Sequence, residues 1–118
     1  MSRSVLVVDD DTGLRQILTK FLRFEGFTVE TAANGAEALT CLQSGLRPDV
    51  ILLDLRMPIM DGWAFRTAQR ADEGLASIPV IVLAGADADR VAEIDPVAAF
   101  AKPAPMDDVV KAIRAALR

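Results

Sequence analysis

The chain has 118 residues and a formal net charge of −4, from 13 basic and 17 acidic side chains, and 52% of its residues are apolar. This composition excludes a disordered chain, and it disfavours direct nucleic-acid binding because no basic surface can dominate. Histidine is absent and cysteine occurs once, at Cys41, which excludes histidine-dependent nucleophilic catalysis, zinc–histidine sites and an intramolecular disulfide. We expect a single domain spanning residues 1–118, without an output domain.

The sequence predicts neither a secretion signal nor a membrane anchor. The first apolar run, Val5 to Val8, reaches Asp9 too early for the apolar core of a signal peptide. No apolar run approaches the roughly 18 residues that a membrane-spanning helix needs. We therefore expect a cytoplasmic domain without membrane contacts.

Three short apolar runs rich in β-branched residues are predicted to form strands. They are Val5–Val8, Val50–Leu53 and Val80–Leu83. Each is apolar at every position, which is typical of strands buried on both faces of a parallel sheet. Two weaker candidates, Phe27–Ala33 and Val97–Ala101, have less regular patterns. Five strands are expected in total.

Helical periodicity occupies the intervals between these runs. After the first strand, apolar residues recur at i, i+3, i+4 and i+7, and this helix is predicted to begin at Asp11 or Thr12 and to end near Gly26. The other predicted helices are Ala36 to near Gly45, Trp63–Ala71, a short one over Asp87–Ile94, and Met106–Leu117 with Pro105 in its first turn.

The alternation of strands and helices predicts an α/β fold. Its length suits a flavodoxin-like, doubly wound (βα)5 arrangement, with a parallel sheet in the order 2-1-3-4-5 and helices on both faces. In such folds ligands bind at the carboxyl ends of the strands, where the first and third strands are neighbours. The functional site is therefore expected at that edge.

Charged side chains follow three of the predicted strands at the point where each strand ends. Asp9 and Asp10 follow the first, Asp54 follows the third and Lys102 follows the fifth. These ends meet at one edge of the sheet, and clustered carboxylates raise one another's pKa unless a cation lies among them. A hard divalent ion such as Mg²⁺ suits oxygen ligands of this kind. Each residue alone has an ordinary explanation as a helix cap or a solvated charge, so the hypothesis depends on their combination.

With these residues placed, the sequence resembles the receiver domain of two-component response regulators over essentially its whole length. The most specific stretch runs from Asp54 to Gly62 and includes Met57-Pro58 and Asp61-Gly62. The other matching stretches are Val5 to Asp10, Ala33 to Leu39, Pro48 to Leu53, Pro79 to Leu83, and Lys102-Pro103. For Pro58 and Gly62 we favour a role in turn structure. The Asn34-Gly35 pair is weak support by itself, because it more often marks a hairpin turn.

The resemblance implies a role for each clustered residue. Asp54 is the phosphoacceptor, which receives a phosphoryl group from the phosphohistidine of a sensor histidine kinase or a histidine phosphotransfer protein. Asp10 and Asp54 bind Mg²⁺ directly, Asp9 binds it partly through water, and the backbone carbonyl of Arg56 is a further ligand. Lys102 pairs with the phosphoryl group. Such a domain is a signalling switch or phosphate relay that promotes its own phosphorylation and dephosphorylation, and it is not an enzyme acting on a separate substrate.

The sequence departs from the receiver pattern at two positions whose side chains normally transmit the conformational effect of phosphorylation. The family has Ser or Thr after the fourth strand, where the hydroxyl bonds the phosphoryl group, and here that position is Ala84. The family usually has an aromatic residue three positions before the lysine, and here that position is Ala99. The neighbouring Phe100 points to the opposite face and is predicted to belong to the core. The backbone N–H of Gly85 is still available to the phosphoryl group.

Two further features concern the region around Lys102. Only 18 positions separate it from Ala84, roughly one helical turn fewer than is common in the family, so the fourth helix is expected to be short and to end at Asp95-Pro96. The resemblance also implies a cis peptide bond between Lys102 and Pro103.

Two functions stay open at this point. The first is a phosphorylatable switch or relay, which Asp9, Asp10, Asp54 and Lys102 favour. The second is a receiver-like interaction module that works largely independently of phosphorylation, which the loss of both switch side chains favours. A haloacid-dehalogenase-type phosphatase is disfavoured because Arg56 stands where that family has a second aspartate. A dinucleotide-binding domain is disfavoured because the loop after the first strand is acidic where a glycine-rich phosphate cradle is required.

Overall fold

The computed structural model describes residues 3–85 and 88–118. Its single sheet has five parallel strands in the order β2-β1-β3-β4-β5. The strands are β1 (Ser4–Val8), β2 (Thr28–Ala32), β3 (Val50–Leu53), β4 (Val80–Ala84) and β5 (Ala98–Ala101). The predicted α/β fold class and strand order are confirmed.

In the described ranges, three α-helices and one 3₁₀ helix connect the strands, and a fourth α-helix follows β5. The α-helices are α1 (Thr12–Phe24), α2 (Gly35–Gln43), α3 (Gly62–Ala71) and α4 (Met106–Ala116), and the 3₁₀ helix is Ala88–Ile94. Among the helices in the described ranges the longest has 13 residues, and none is long and apolar enough to cross a bilayer.

The segment between β4 and β5 differs from the predicted fourth α-helix. It forms a 3₁₀ helix of seven residues, and the expected first residue, Asp87, lies outside the described part of the chain. At about 2.0 Å per residue a 3₁₀ helix spans more distance than an α-helix at about 1.5 Å, which suits a crossover with few residues. The helix ends at Ile94, and φ of the next residue, Asp95, is 51°. Pro105 also differs slightly from expectation, because it precedes α4 at the N-cap and does not enter the first turn.

Side-chain caps fix the beginnings of three helices close to the carboxyl edge of the sheet. In each case a side-chain oxygen accepts a hydrogen bond from the backbone N–H three residues later, which satisfies one of the unpaired donors of the first turn. The pairs are Asp11 with Leu14 at 3.1 Å, Asn34 with Glu37 at 2.9 Å and Asp61 with Ala64 at 2.9 Å. The Asn34-Gly35 pair therefore begins a helix and does not form a hairpin turn.

The sheet is covered on both faces by apolar side chains. In β1, Leu6 and Val8 pack with the side chains of α2 and α3, whereas Val5 and Val7 pack with those of α1 and α4. All four are at most 1% exposed, which explains why the sequence of this strand is apolar at every position. Phe100 of β5 packs against the α1–α4 side and is half-buried, so it lies at the margin of the core.

Candidate functional site

Three aspartate side chains meet at the carboxyl edge of the sheet, as predicted. One carboxylate oxygen from each of Asp9, Asp10 and Asp54 lies within 4.8 Å of the others. The pairing of β1 with β3 brings them together, since Val8 lies opposite Leu53 in register and its carbonyl accepts the Asp54 N–H at 2.9 Å. Asp9 and Asp54 are buried, and Asp10 is exposed. Three hard oxygen donors at this spacing fit a divalent cation such as Mg²⁺.

Lys102 reaches the same cluster from the end of β5. Its Nζ donates a hydrogen bond to Asp9 Oδ2 at 2.7 Å and lies 3.3 Å from Asp54 Oδ1. Its backbone N–H donates to the carbonyl of Ala84 at 2.8 Å, which fixes the lysine beside the end of β4. The peptide bond between Lys102 and Pro103 is cis, as the resemblance implied.

The charges of the cluster perturb one another. Burial raises the pKa of Asp54 to about 6, and the Asp9 carboxylate adds to this rise, while Lys102 and the Leu55 N–H at 2.8 Å oppose it. Burial lowers the pKa of Lys102, but its hydrogen bond to Asp9 and the charges of Asp54 and Asp9 outweigh burial and leave that pKa raised. Asp54 is therefore a desolvated carboxylate whose ionised form gains from any added cation.

The acidic loop after β1 is held by the first turns of α1. Asp9 Oδ1 accepts the Asp11 N–H at 2.9 Å, so both carboxylate oxygens of Asp9 have hydrogen-bond donors. The guanidinium of Arg15 donates to the Asp9 carbonyl at 2.7 Å and to Thr12 Oγ1 at 3.3 Å. Sequence reasoning missed Arg15. Its position six residues after Asp9, on the polar face of a predicted amphipathic helix, is the only sequence feature that points to it.

Close packing fixes the loop between β3 and α3 behind Asp54. A Cβ added to Gly62 would lie 2.5 Å from the Asp54 carbonyl oxygen and 2.9 Å from Leu55 Cα, so no larger residue fits. The Gly62 N–H donates to the Leu55 carbonyl at 2.8 Å. This agrees with the structural role that we favoured for Gly62. Arg56, whose carbonyl the resemblance assigns to the metal, is exposed in the same loop.

The two altered switch positions lie on the other side of the cluster. Ala84 is buried at the end of β4 and pairs in register with Ala101, whereas Ala99 is exposed and pairs with Val82. The following residue, Gly85, is exposed, and an added Cβ there would meet none of the described residues within 4 Å. Neither alanine offers a hydroxyl or a ring at these places.

An apolar groove of about 530 Å³ opens beside Lys102, between α1 and the connection from β5 to α4. Its apolar lining comprises Leu14, Ile17, Leu83, Pro103, Ala104 and Met106. Ile17 is 59% exposed. The groove therefore presents an apolar surface next to the charged cluster.

Residues 5–114 match the model of the response regulator receiver domain. The chain belongs to this family. Receiver domains are non-enzymatic signalling modules that act with sensor histidine kinases and bind Mg²⁺ at an acidic pocket, and the Asp9–Asp10–Asp54 cluster has the composition of such a pocket.

Individual proteins show the same similarity. The transcriptional regulatory protein PrrA of Mycobacterium tuberculosis is 41% identical over 121 aligned positions, which cover 99% of this chain and 51% of PrrA. The DNA-binding response regulator MtrA of Mycobacterium leprae is 43% identical over 83 positions, which cover 70% of this chain and 35% of MtrA. The chemotaxis response regulator CheY4 of Vibrio cholerae has a structure that superposes with a TM-score of 0.88 at 31% identity, covering 99% of this receiver domain and 100% of CheY4.

The receiver domain spans about half the length of PrrA and about a third of MtrA. The expectation of a single domain over residues 1–118, without an output domain, therefore stays a prediction. The roles of the individual site residues stay predictions as well, although the structure brings the side chains together.

Proposed function

We propose that this receiver domain accepts a phosphoryl group on Asp54 from the phosphohistidine of a sensor histidine kinase or a histidine phosphotransfer protein, and acts in the cytoplasm as a switch or phosphate relay. The observation that best supports this is the position of the Asp54 carboxylate, buried at the end of β3 among Asp9, Asp10 and Lys102. No other carboxylate cluster of this kind occurs among residues 3–85 and 88–118.

The proposed metal ligands come from both exposed and buried residues. Asp10 and Asp54 would hold Mg²⁺ directly, together with the backbone carbonyl of Arg56. Asp9 would act partly through water, because its two oxygens already accept hydrogen bonds from the Asp11 N–H and Lys102. When bound, the ion supplies positive charge that favours the ionised carboxylates and neutralises phosphoryl oxygens.

In the transfer step, a carboxylate oxygen of Asp54 attacks the phosphorus of the phosphohistidine. The new O–P bond forms as the P–N bond breaks, and the electron pair of the P–N bond stays on the imidazole nitrogen. Lys102 Nζ, 3.3 Å from Asp54 Oδ1, then pairs with a phosphoryl oxygen, and the Gly85 N–H is a second donor. Dephosphorylation is attack by water on the same phosphorus, which breaks the O–P bond, releases inorganic phosphate and returns the carboxylate. Both steps depend mainly on positioning and charge.

The apolar groove beside Lys102 is the surface we propose for the phosphodonor. A helix that bears the phosphohistidine has to bring its phosphorus to Asp54, and the groove borders the lysine that contacts Asp54. Ile17, at 59% exposure, offers apolar area that burial under such a helix would stabilise. Replacement of Ile17 by serine should slow phosphorylation by the partner and leave labelling by acetyl phosphate unchanged.

The test of the proposed function is labelling with acetyl phosphate and Mg²⁺, followed by intact-mass analysis. The wild-type domain should gain one phosphoryl group and the Asp54→Asn variant none. Asp11→Asn is the matched control, because it removes a neighbouring charge and asparagine caps a helix as well as aspartate does. Persistent labelling of Asp54→Asn, or an unlabelled wild type, would contradict the proposal.

A second candidate function is a receiver-like interaction module that works largely without phosphorylation, and Ala84 and Ala99 favour it. A partner whose affinity is equal with and without beryllofluoride, a phosphoryl mimic, would support this module over the switch. In either case we propose that this domain makes no direct contact with nucleic acid, because its net charge is −4.

A further inference from the structure

A second groove, of about 590 Å³, lies between α1 and β2 at one edge of the sheet. We call it the β2 groove. The basic side chains that line it belong to α1, and its strand side is the second half of β2. The basic residues are Arg15, Lys20 and Arg23, and the strand residues are Val29, Glu30 and Thr31. None of them is a proposed metal ligand or phosphoryl contact.

The strand that borders this groove has backbone groups that no neighbouring strand uses. β2 is an edge strand and pairs only with β1. The Thr28 N–H and the Ala32 carbonyl are bonded towards β1, at 2.9 and 3.1 Å. Because successive residues of such a strand direct their backbone groups to opposite sides, Val29 and Thr31 direct theirs away from β1. These groups form the free edge of the sheet.

The outward groups of β2 are poorly satisfied within the domain. The Val29 carbonyl accepts from the Arg23 guanidinium at 3.4 Å, beyond the roughly 3.2 Å of an ordinary N–H···O bond. Thr31 is exposed, and among residues 3–85 and 88–118 nothing bonds its outward N–H or carbonyl. A strand from another chain can therefore pair with this edge without displacing a strong hydrogen bond.

The two faces of β2 carry different side chains. Val29 lies opposite Val5 in register, on the face that α1 covers, and Thr31, two residues later, shares that face. Glu30 lies opposite Leu6, on the face of α2 and α3, so its carboxylate belongs to the other side of the sheet. A strand added beside β2 would alternate in the same way, and every second side chain would lie beside α1.

The α1 side of the β2 groove is positively charged. Arg15, Lys20 and Arg23 contribute three cations in a chain whose net charge is −4. Lys20 and Arg23 are exposed, and neither pairs with a carboxylate in the part of the chain that the structure describes. A second copy of the domain, paired edge to edge, would bring like charges together. An acidic segment has the opposite charge, and its carboxylates accept hydrogen bonds from guanidinium groups.

We propose that β2 is the docking edge for an extended segment of a partner protein that carries Asp or Glu at every second position. The segment adds a strand beside β2, bonds the outward groups of Val29 and Thr31, and places its carboxylates against Lys20 and Arg23. Main-chain hydrogen bonds supply affinity in such pairing, and alternate side chains supply specificity. This binding function goes beyond phosphotransfer, because no side chain of the Asp54 cluster takes part in it.

The probe is a short capped peptide in which Thr and Glu alternate, added to the whole chain. Its affinity should fall as salt is raised, because the cations are exposed. Hydrogen exchange of the Val29 and Thr31 amides should slow, whereas exchange of the Glu30 and Ala32 amides, which bond to β1, should stay unchanged. A peptide of the same composition with all its Thr residues before its Glu residues should bind several-fold more weakly.

Two pairs of variants separate strand addition from general attraction of charge. Thr31→Pro removes the outward N–H without removing a bond to β1, and it should weaken binding about three- to tenfold, the ordinary size of one hydrogen bond. Its control, Thr31→Val, keeps the N–H and should bind as the wild type does. Lys20→Ser should weaken binding about two- to fivefold and provides the test if Thr31→Pro does not fold. Its control is Lys111→Ser, which removes an exposed lysine of α4 outside the groove and should have no effect.

Three results would overturn the proposal. The first is an alternating peptide that does not bind at low salt. The second is equal binding of the two peptides, or binding that leaves exchange of Val29 and Thr31 unchanged, since either would indicate charge attraction without strand pairing. The third is a domain that dimerises through this edge, or that binds a single-stranded oligonucleotide more tightly than the peptide, because either would identify a different occupant. Labelling of Asp54 by acetyl phosphate should be the same in all four variants, so failure of this proposal is distinguishable from failure of the proposed function.

Discussion

The centre of the sheet and its β5 edge are built in opposite ways. The residues of β3 and β4 are buried at every position, and the aspartates of the site lie in the loops that follow β1 and β3. In β5, four small or half-buried residues alternate in exposure, and the preceding 3₁₀ helix is attached to α3 by polar side chains and also packs the buried Ile94 into the core. The centre therefore fixes the geometry of the chemistry, whereas the edge has the weaker attachments that a conformational response requires.

Removal of the lysine should give the largest loss of stability at the centre. In Lys102→Met, the buried Asp9 loses an ion pair of 2.7 Å and Asp54 loses its nearby cation. We expect the free energy of unfolding at pH 7 to fall by about 2–4 kcal/mol, somewhat less than for a fully buried pair because the lysine is partly exposed.

The matched variant at the edge is Arg70→Met, which removes an exposed pair with Asp95 of 3.9 Å and the hydrogen bonds that Arg70 donates to the carbonyls of Glu93 and Ile94. It should cost about 1 kcal/mol, because the pair is exposed and Arg66 still donates to the Ile94 carbonyl. Chemical denaturation measures both variants. Equal losses would show that the centre and the edge do not differ as described.

Replacement of the phosphoacceptor should stabilise the metal-free domain. The folded-state pKa of Asp54, about 6, lies above the ordinary aspartate value, so the folded state binds more protons between roughly pH 4 and 6 and its stability falls as the pH rises through that window. At pH 7 the Asp54→Asn variant should therefore be more stable than the wild type by about 1–3 kcal/mol. The difference should shrink towards pH 4.

The control for that prediction is Asp95→Asn at the exposed edge, where asparagine tolerates the positive φ of 51°. It should change the free energy of unfolding by no more than about 0.5 kcal/mol at either pH. Thermal or denaturant unfolding at several pH values, with a chelator present, supplies the comparison. An Asp54→Asn variant less stable than the wild type at pH 7 would contradict the predicted stabilisation.

The smallest response to beryllofluoride is expected in β5 and α4, measured as shifts of amide resonances. Beryllofluoride with Mg²⁺ should shift the amide resonances near Asp9, Asp54 and Gly85, and should hardly shift those of residues 97–117. The reason is that Ala84 offers no hydroxyl and Ala99 no ring to relocate. The missing hydroxyl would form a charge-assisted hydrogen bond to the phosphoryl group, and such a bond ordinarily contributes about 1.5–3 kcal/mol. Shifts across 97–117 as large as those beside Asp54 would indicate another route.

The sequence predicted the centre of the molecule better than the edge. Val5–Val8, Val50–Leu53 and Val80–Leu83 are apolar throughout because both faces of the sheet are covered, so the pattern alone located β1, β3 and β4. The clustering of Asp9, Asp10 and Asp54 followed from the strand order. The 3₁₀ helix was predicted as an α-helix, because seven residues contain too few repeats to distinguish a period of 3.0 from one of 3.6.

The contacts that sequence reasoning missed join elements that are distant along the chain or lie on polar helix faces. Trp63 and Arg90 are 27 positions apart, and neither residue type indicates the other. Arg15 lies on the polar face of α1, where arginines are ordinarily solvated, yet it holds the Asp9 carbonyl. Such pairings depend on how α1 and α3 are oriented over the sheet, which the hydrophobic pattern leaves undetermined.

The packing of Gly62 has a consequence for any library that randomises the loop between β3 and α3. An added Cβ would lie 2.5 Å from the Asp54 carbonyl oxygen, so selection for folding alone should recover glycine at this position, and its enrichment would say nothing about phosphotransfer. At Gly85, an added Cβ would meet nothing within 4 Å among residues 3–85 and 88–118. Substitutions at Gly85 that survive selection for folding but not selection for phosphorylation would therefore report on the chemistry of the site.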